Sequence, residues 1–82
     1  MEKTTINGSK NLKVIERLKD TWKSTIVTRS ELPLFTGGLI SSGYAANLDS
    51  LGKGIPGRFK IGNKTVYPIK EVIEFLKKRA SE

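Results

Sequence analysis

The stretch SELPLFTGGLISSGYAANLDSLG, residues 30–52, decides how this chain folds. It holds two helix starts. Ser30 precedes Glu31, Leu32 and Pro33, an N-cap residue type followed by an acid and by a proline early enough for a first helical turn to tolerate. The pattern predicts a short helix stopped by Gly37-Gly38, then a second helix from Ser41 to Leu51 with Gly52 as its C-terminal cap. At about 100° per residue, Tyr44, Ala45, Leu48 and Leu51 share one side of that second helix. Ser42, Gly43, Ala46, Asn47 and Ser50 make the other, a small and polar outer face. Two helices across a tight Gly-containing turn form a helix-turn-helix, whose second helix can enter the DNA major groove; the same pattern also suits a helical hairpin used only for packing.

The next stretch bears on that choice. Arg58-Phe59-Lys60-Ile61 and Lys64-Thr65-Val66-Tyr67 alternate at strand period around Gly62-Asn63, a two-residue hairpin signal. With this loop Phe59 faces Val66 on the expected core side, and Arg58, Lys60, Thr65 and Tyr67 share a basic, aromatic outer side. From Ser50 to Pro68 there are four cations, Lys53, Arg58, Lys60 and Lys64, and no acid. Such lysines either bind something or protect an edge strand. Gly52 to Gly57 spells G-x-G-x-x-G, but Pro56 and a strand follow where a dinucleotide site needs a helix, so it reads as a turn. Ile69, Val72, Ile73 and Leu76, joined by Phe75, predict a closing helix that ends in Lys77-Lys78-Arg79, where cations suit the helix dipole.

Towards the N-terminus, Thr25 to Thr28 is β-branched throughout and reads as a brief strand. Leu12, Ile15, Leu18 and Trp22 recur at helical spacing and predict an amphipathic helix over 11–23, capped by Ser9 or Asn11. Residues 1–9 are polar. The expected organisation is a polar N-terminus with an amphipathic helix over 1–24, then one domain over 25–82.

Composition narrows the chemistry. The 82 residues carry 15 Lys+Arg against 8 Asp+Glu, a net charge of +7, with no His and no Cys. Triad, thiolate and common zinc chemistries are excluded. The carboxylates are scattered: Glu31 and Asp49 stand alone, and Glu71 and Glu74 share a helix face that reads as solvated. No enzymatic activity, cofactor or metal is expected. No apolar run approaches a membrane span, no signal peptide is seen, and the lack of cysteine favours the reducing cytoplasm. The triplets at Asn7 and Asn63 accordingly read as turn residues rather than glycosylation sites.

The order of strand, short helix, Gly turn, helix, basic hairpin and helix resembles the winged helix-turn-helix domains of the MerR superfamily, and within it the AlpA and excisionase group. The residues that carry the resemblance are Phe35-Thr36-Gly37-Gly38-Leu39-Ile40-Ser41, Gly52, Pro56, the run from Phe59 to Pro68, and Phe75-Leu76. It covers about residues 25–79. The fold implied is α+β, a small winged helix-turn-helix domain with a basic β-hairpin wing and an extra N-terminal helix. The resemblance implies that Ser42, Gly43, Tyr44 and Asn47 lie near bases or phosphates, and that Arg58, Lys60, Asn63 and Lys64 act from the wing. Lys53, from the same acid-free stretch, joins the candidate DNA contacts. Gly43 and Lys70 depart from the family pattern, one in the first turn of the reading helix and the other where an acidic cap is expected.

The partner implied is double-stranded DNA. RNA modules stack unpaired bases on exposed sheet aromatics, whereas here only Tyr67 is expected to be free. The function implied is that of a mobile element's accessory protein, an excisionase (recombination directionality factor) that binds and bends DNA beside an integrase and self-associates on it. A small transcriptional regulator of the same element needs the same domain. A third possibility, from another class, is a protein-interaction module whose basic wing docks an acidic partner; neither a membrane nor a small-molecule substrate is implied.

Overall fold

The computed structural model of the chain describes residues 12–80. They form a small α+β domain of four helices and a three-stranded antiparallel sheet. Helix α1, seen over residues 12–16, tightens into the 3-10 turn Arg17–Asp20. Strand β1, Ile26–Thr28, leads through a 3-10 turn, Arg29–Glu31, into α2, Leu32–Phe35. After the glycine turn come α3, Ser42–Ser50, the strands β2, Phe59–Ile61, and β3, Lys64–Pro68, and the closing helix α4, Ile69–Ala80. The expected cap at Ser9 or Asn11 lies outside the described residues. Among the described residues no helix is long and apolar enough to cross a membrane.

The turn between α2 and α3 has a simple cause. Gly37 and Gly38 take φ of 67° and 88°, a region that side chains disfavour. The buried Thr36 hydroxyl donates to Leu32 O at 2.7 Å and accepts from Ile40 N at 3.0 Å, pinning both ends of the turn. Ser41 then caps α3 by accepting from Tyr44 N at 3.0 Å. The expected cap at Ser30 is corrected: Thr28 caps instead. Its hydroxyl accepts from Glu31 N while the Glu31 carboxylate accepts from Thr28 N, a reciprocal capping box, so the helical path begins two residues earlier than expected.

The strand order is β1-β3-β2. The Gly62-Asn63 loop sets the hairpin register expected from its length, pairing Phe59 with Val66 and Lys60 with Thr65. Its faces match the expectation only in part: Val66 is buried and Arg58 and Lys60 are exposed as expected, but Phe59 and Tyr67 exchange places. β1 pairs Val27 with Tyr67, and Val27 belongs to the core, so the Tyr67 and Thr65 side of β3 turns inward. Tyr67 is 0% exposed, whereas Phe59 is 45% exposed and Ile61 55%. Val66, on the opposite face from Tyr67, is buried too, at the position paired with Thr28 of β1 and Phe59 of β2.

Leu32, Phe35, Ile40 and Ala45 from the helical pair meet Val72 and Leu76 of α4 in the core. The apolar stripe before β1 covers this core, with Ile15, Leu18 and Trp22 packed against it. Trp22 sits edge-on to Phe35, ring centroids 5.1 Å apart, and its Nε1 donates to Ile26 O at 2.9 Å. Glu16 of α1 pairs with Lys77 of α4 at 2.5 Å.

Candidate nucleic-acid interface

Asp49 ties α3 to the sheet. It lies near the end of the helix, 40° around from Ala45 by helical geometry, and its side chain is only 6% exposed. A carboxylate is buried only with partners, and Asp49 has several. Tyr67 Oη donates to Asp49 Oδ2 at 2.6 Å, and an Arg29 terminal nitrogen donates to the same oxygen at 2.6 Å. Arg29 Nε also donates to Tyr67 Oη at 3.0 Å, which closes the triangle. Arg58 approaches Asp49 Oδ2 at 3.8 Å from the hairpin side. Burial, reinforced by the bond to Asp49, raises the pKa of the Tyr67 phenol above its ordinary value, while bonds to Tyr67 and Asp49 raise that of Arg29. The other carboxylate oxygen, Oδ1, is buried without a hydrogen bond among the described residues and rests where a side chain on residue 54 would have to go. Gly54 is therefore required by packing, consistent with reading the glycine-rich segment as a turn.

Two open hollows border this anchor. One is lined by Arg29, Ser30 and Ser42 together with Asn63 and Lys64 at the hairpin tip. The other is lined by Arg29, Ala46 and Ser50 together with Arg58 and Lys60. Arg29 and Thr65 border both, so the hollows adjoin between α3 and the hairpin. Four cations face them against a single carboxylate, Asp49. Lys60 and Lys64 are exposed.

The structure thus brings five of the nine expected contact residues, Ser42, Arg58, Lys60, Asn63 and Lys64, to one surface. Gly43 and Asn47 stand exposed on the adjoining face of α3. Tyr44 is turned towards α4, where the Arg79 guanidinium lies 5.8 Å from its ring centroid. Lys53 lines a separate recess with Glu71, Glu74 and Lys78. These two stand apart from both hollows.

Comparison with known protein families, characterised proteins and solved structures finds no match to this chain.

The inner face of α3 also differs from the expectation. Ala45 is buried and Leu48 half-buried, but Leu51 is 59% exposed and its expected place in the interior is taken by Asp49. Sequence reasoning missed Asp49 and Arg29 because their bonds span 20 and 38 residues, and no local pattern announces them. The capping box was available, since Thr28-Arg29-Ser30-Glu31 fits the S/T-x-x-E form.

Proposed function

We propose that this chain is a winged helix-turn-helix protein that binds duplex DNA, with α3 as the reading helix and the β2–β3 hairpin as the wing. One observation carries the reading: the outer side of α3 and the hairpin cations line two adjoining hollows with a single acid between them. Cations that neutralise phosphates release condensed counterions, which supplies most of the non-specific affinity for DNA. The helix side of that surface is built from Ser42, Ala46 and Ser50, with Gly43 exposed beside them, residues small enough for a groove wall to approach closely. The burial of Tyr67 and the exposure of Phe59 leave Phe59 as the one exposed aromatic on the sheet among the described residues, which supports duplex rather than single-stranded targets.

Within that reading, the resemblance of the motif order to excisionases supports an accessory, non-catalytic role in which the protein bends DNA beside an integrase. A domain this small covers about one helical turn, so work on an assembly calls for several copies on adjacent sites. Mobility-shift titration against a random duplex pool, followed by sequencing of the bound fraction, tests binding. Circular-permutation mobility then separates the roles. Bent DNA at full occupancy is expected for the excisionase role, straight DNA leaves a transcriptional regulator, and no shift at low salt removes the DNA reading.

A further inference from the structure

We propose that Arg29 is a preset anchor for one backbone phosphate of the duplex, completed by Lys64 and Ser42 at the hairpin end of the surface. The proposal deepens the DNA-binding reading and rests on it. Arg29 is the cation that lines both hollows among the described residues, so it sits where helix and hairpin converge. A surface lysine must lose its rotamer freedom to hold a phosphate, a cost set by side-chain entropy. Arg29 has already lost it: Nε is bound to Tyr67 Oη at 3.0 Å and one terminal nitrogen to Asp49 Oδ2 at 2.6 Å. Its second terminal nitrogen makes no hydrogen bond among the described residues, and the side chain remains 30% exposed.

Charge points the same way. Asp49 Oδ2 is shared between Arg29 at 2.6 Å and Arg58 at 3.8 Å, one carboxylate against two guanidinium groups, and the surplus is positive. Ser42 and Lys64 line the hollow beside Arg29, adding a hydroxyl donor and a second cation. A planar guanidinium with donors fixed in one orientation, beside an ammonium and a hydroxyl, suits the tetrahedral oxygens of a phosphodiester. In this arrangement Asp49 and Tyr67 act as positioning residues.

Duplexes recovered from the random pool can be rebuilt with single methylphosphonate linkages, each of which removes one phosphate charge. For the wild-type chain we expect one position where neutralisation weakens binding about tenfold, the scale of a charge-assisted hydrogen bond. In Arg29→Gln that position should lose its effect, and in Lys64→Ala the same position should show a reduced one. If Arg29→Gln does not unfold cooperatively, Lys64→Ala and Ser42→Ala, both altered at exposed side chains, decide by the same criterion. Variants that stay as sensitive as wild type at every phosphate overturn the proposal and leave duplex binding intact. A folded wild-type chain that shifts no duplex overturns both.

Discussion

Tyr67 Oη and Asp49 Oδ2 lie 2.6 Å apart, joining the middle strand of the sheet to the last turn of α3. Through this bond the helix and the hairpin are held as one body, because β3 is also half of the hairpin. Neither group can be removed without leaving the other short of a partner inside the domain.

Tyr67→Phe keeps the ring and deletes the donor. We expect a loss of about 1–3 kcal/mol, the cost of leaving a buried polar group less satisfied. Gly54→Ala should cost a similar ~1–3 kcal/mol for a different reason, since the new methyl collides with Asp49 Oδ1 and the turn must give way. Urea melts of both variants measure this. Wild-type stability in either would remove the anchor from the account of the fold.

The burial of Tyr67, together with its bond to Asp49, sets an alkaline limit. Because the Tyr67 pKa is raised, the folded state holds the phenolic proton more tightly than the unfolded chain does. The stability this contributes is fully present below the ordinary value of 10.0 and is lost as pH rises past it. Stability measured from pH 8 to 11 should fall above pH 10 in the wild type and fall less in Tyr67→Phe.

The capping box sets an acid limit. Lys23 and the Thr28 backbone N–H, each bonded to the Glu31 carboxylate, hold its pKa below the ordinary 4.5. Here the sign is opposite: the contribution is present above 4.5 and lost as pH falls below it. Thr28→Ala should cost about 1 kcal/mol at neutral pH, the usual worth of an N-cap. The gap between wild type and Glu31→Gln should narrow as the pH is lowered through this range, and a gap independent of pH would exclude the ionised cap.

How far the sequence speaks depends on the range of the interaction. Ser41, Gly37-Gly38 and Gly62-Asn63 act on their immediate neighbours, and the α3 start, the α2–α3 turn and the hairpin register were readable from them. The burial of Tyr67 was not, because that follows from its pairing with Val27, 40 residues away in the chain. The motif resemblance implies Ser42, Arg58, Lys60, Asn63 and Lys64 as contacts, helix phase and charge marking only the outer side of α3 and the acid-free stretch, and they come together because the hairpin returns beside α3. For Tyr44 the two readings disagree: helix phase puts it on the inner side with Ala45, the resemblance puts it near DNA, and its ring lies against Arg79 of α4.

Gly43 separates folding from binding. Its φ is not positive, and an added Cβ would meet nothing within 4 Å, so the fold itself does not require glycine there. Gly43→Ala should stabilise the protein by up to about 1 kcal/mol through helix propensity. If a duplex lies against this face, the same methyl should weaken binding. A variant that is more stable and binds equally well would place the DNA elsewhere on the protein.

If the chain binds duplex DNA as proposed, α3 and the hairpin should divide the work between them. Lys60 and Lys64 are exposed ammonium groups with little capacity to distinguish base edges, so they should act through phosphates. Replacing either with Ala should weaken binding alike on all sequences and flatten the dependence of log K on log salt by about 0.9 per lost contact. Arg58 is a less clean reporter, because it also faces Asp49 at 3.8 Å and its loss disturbs the anchor. Asn47 differs in kind. Its exposed amide both donates and accepts, matching the adenine edge in the major groove, and a good bidentate pair gives about 1–3 kcal/mol of discrimination. Asn47→Ala should therefore relax preference at one base position and leave the salt slope nearly unchanged. Titrations of the three variants on selected and scrambled duplexes across salt decide the assignment: equal loss on both duplexes for Asn47→Ala, or loss of sequence preference alone for the lysine variants, would reverse the roles of helix and wing.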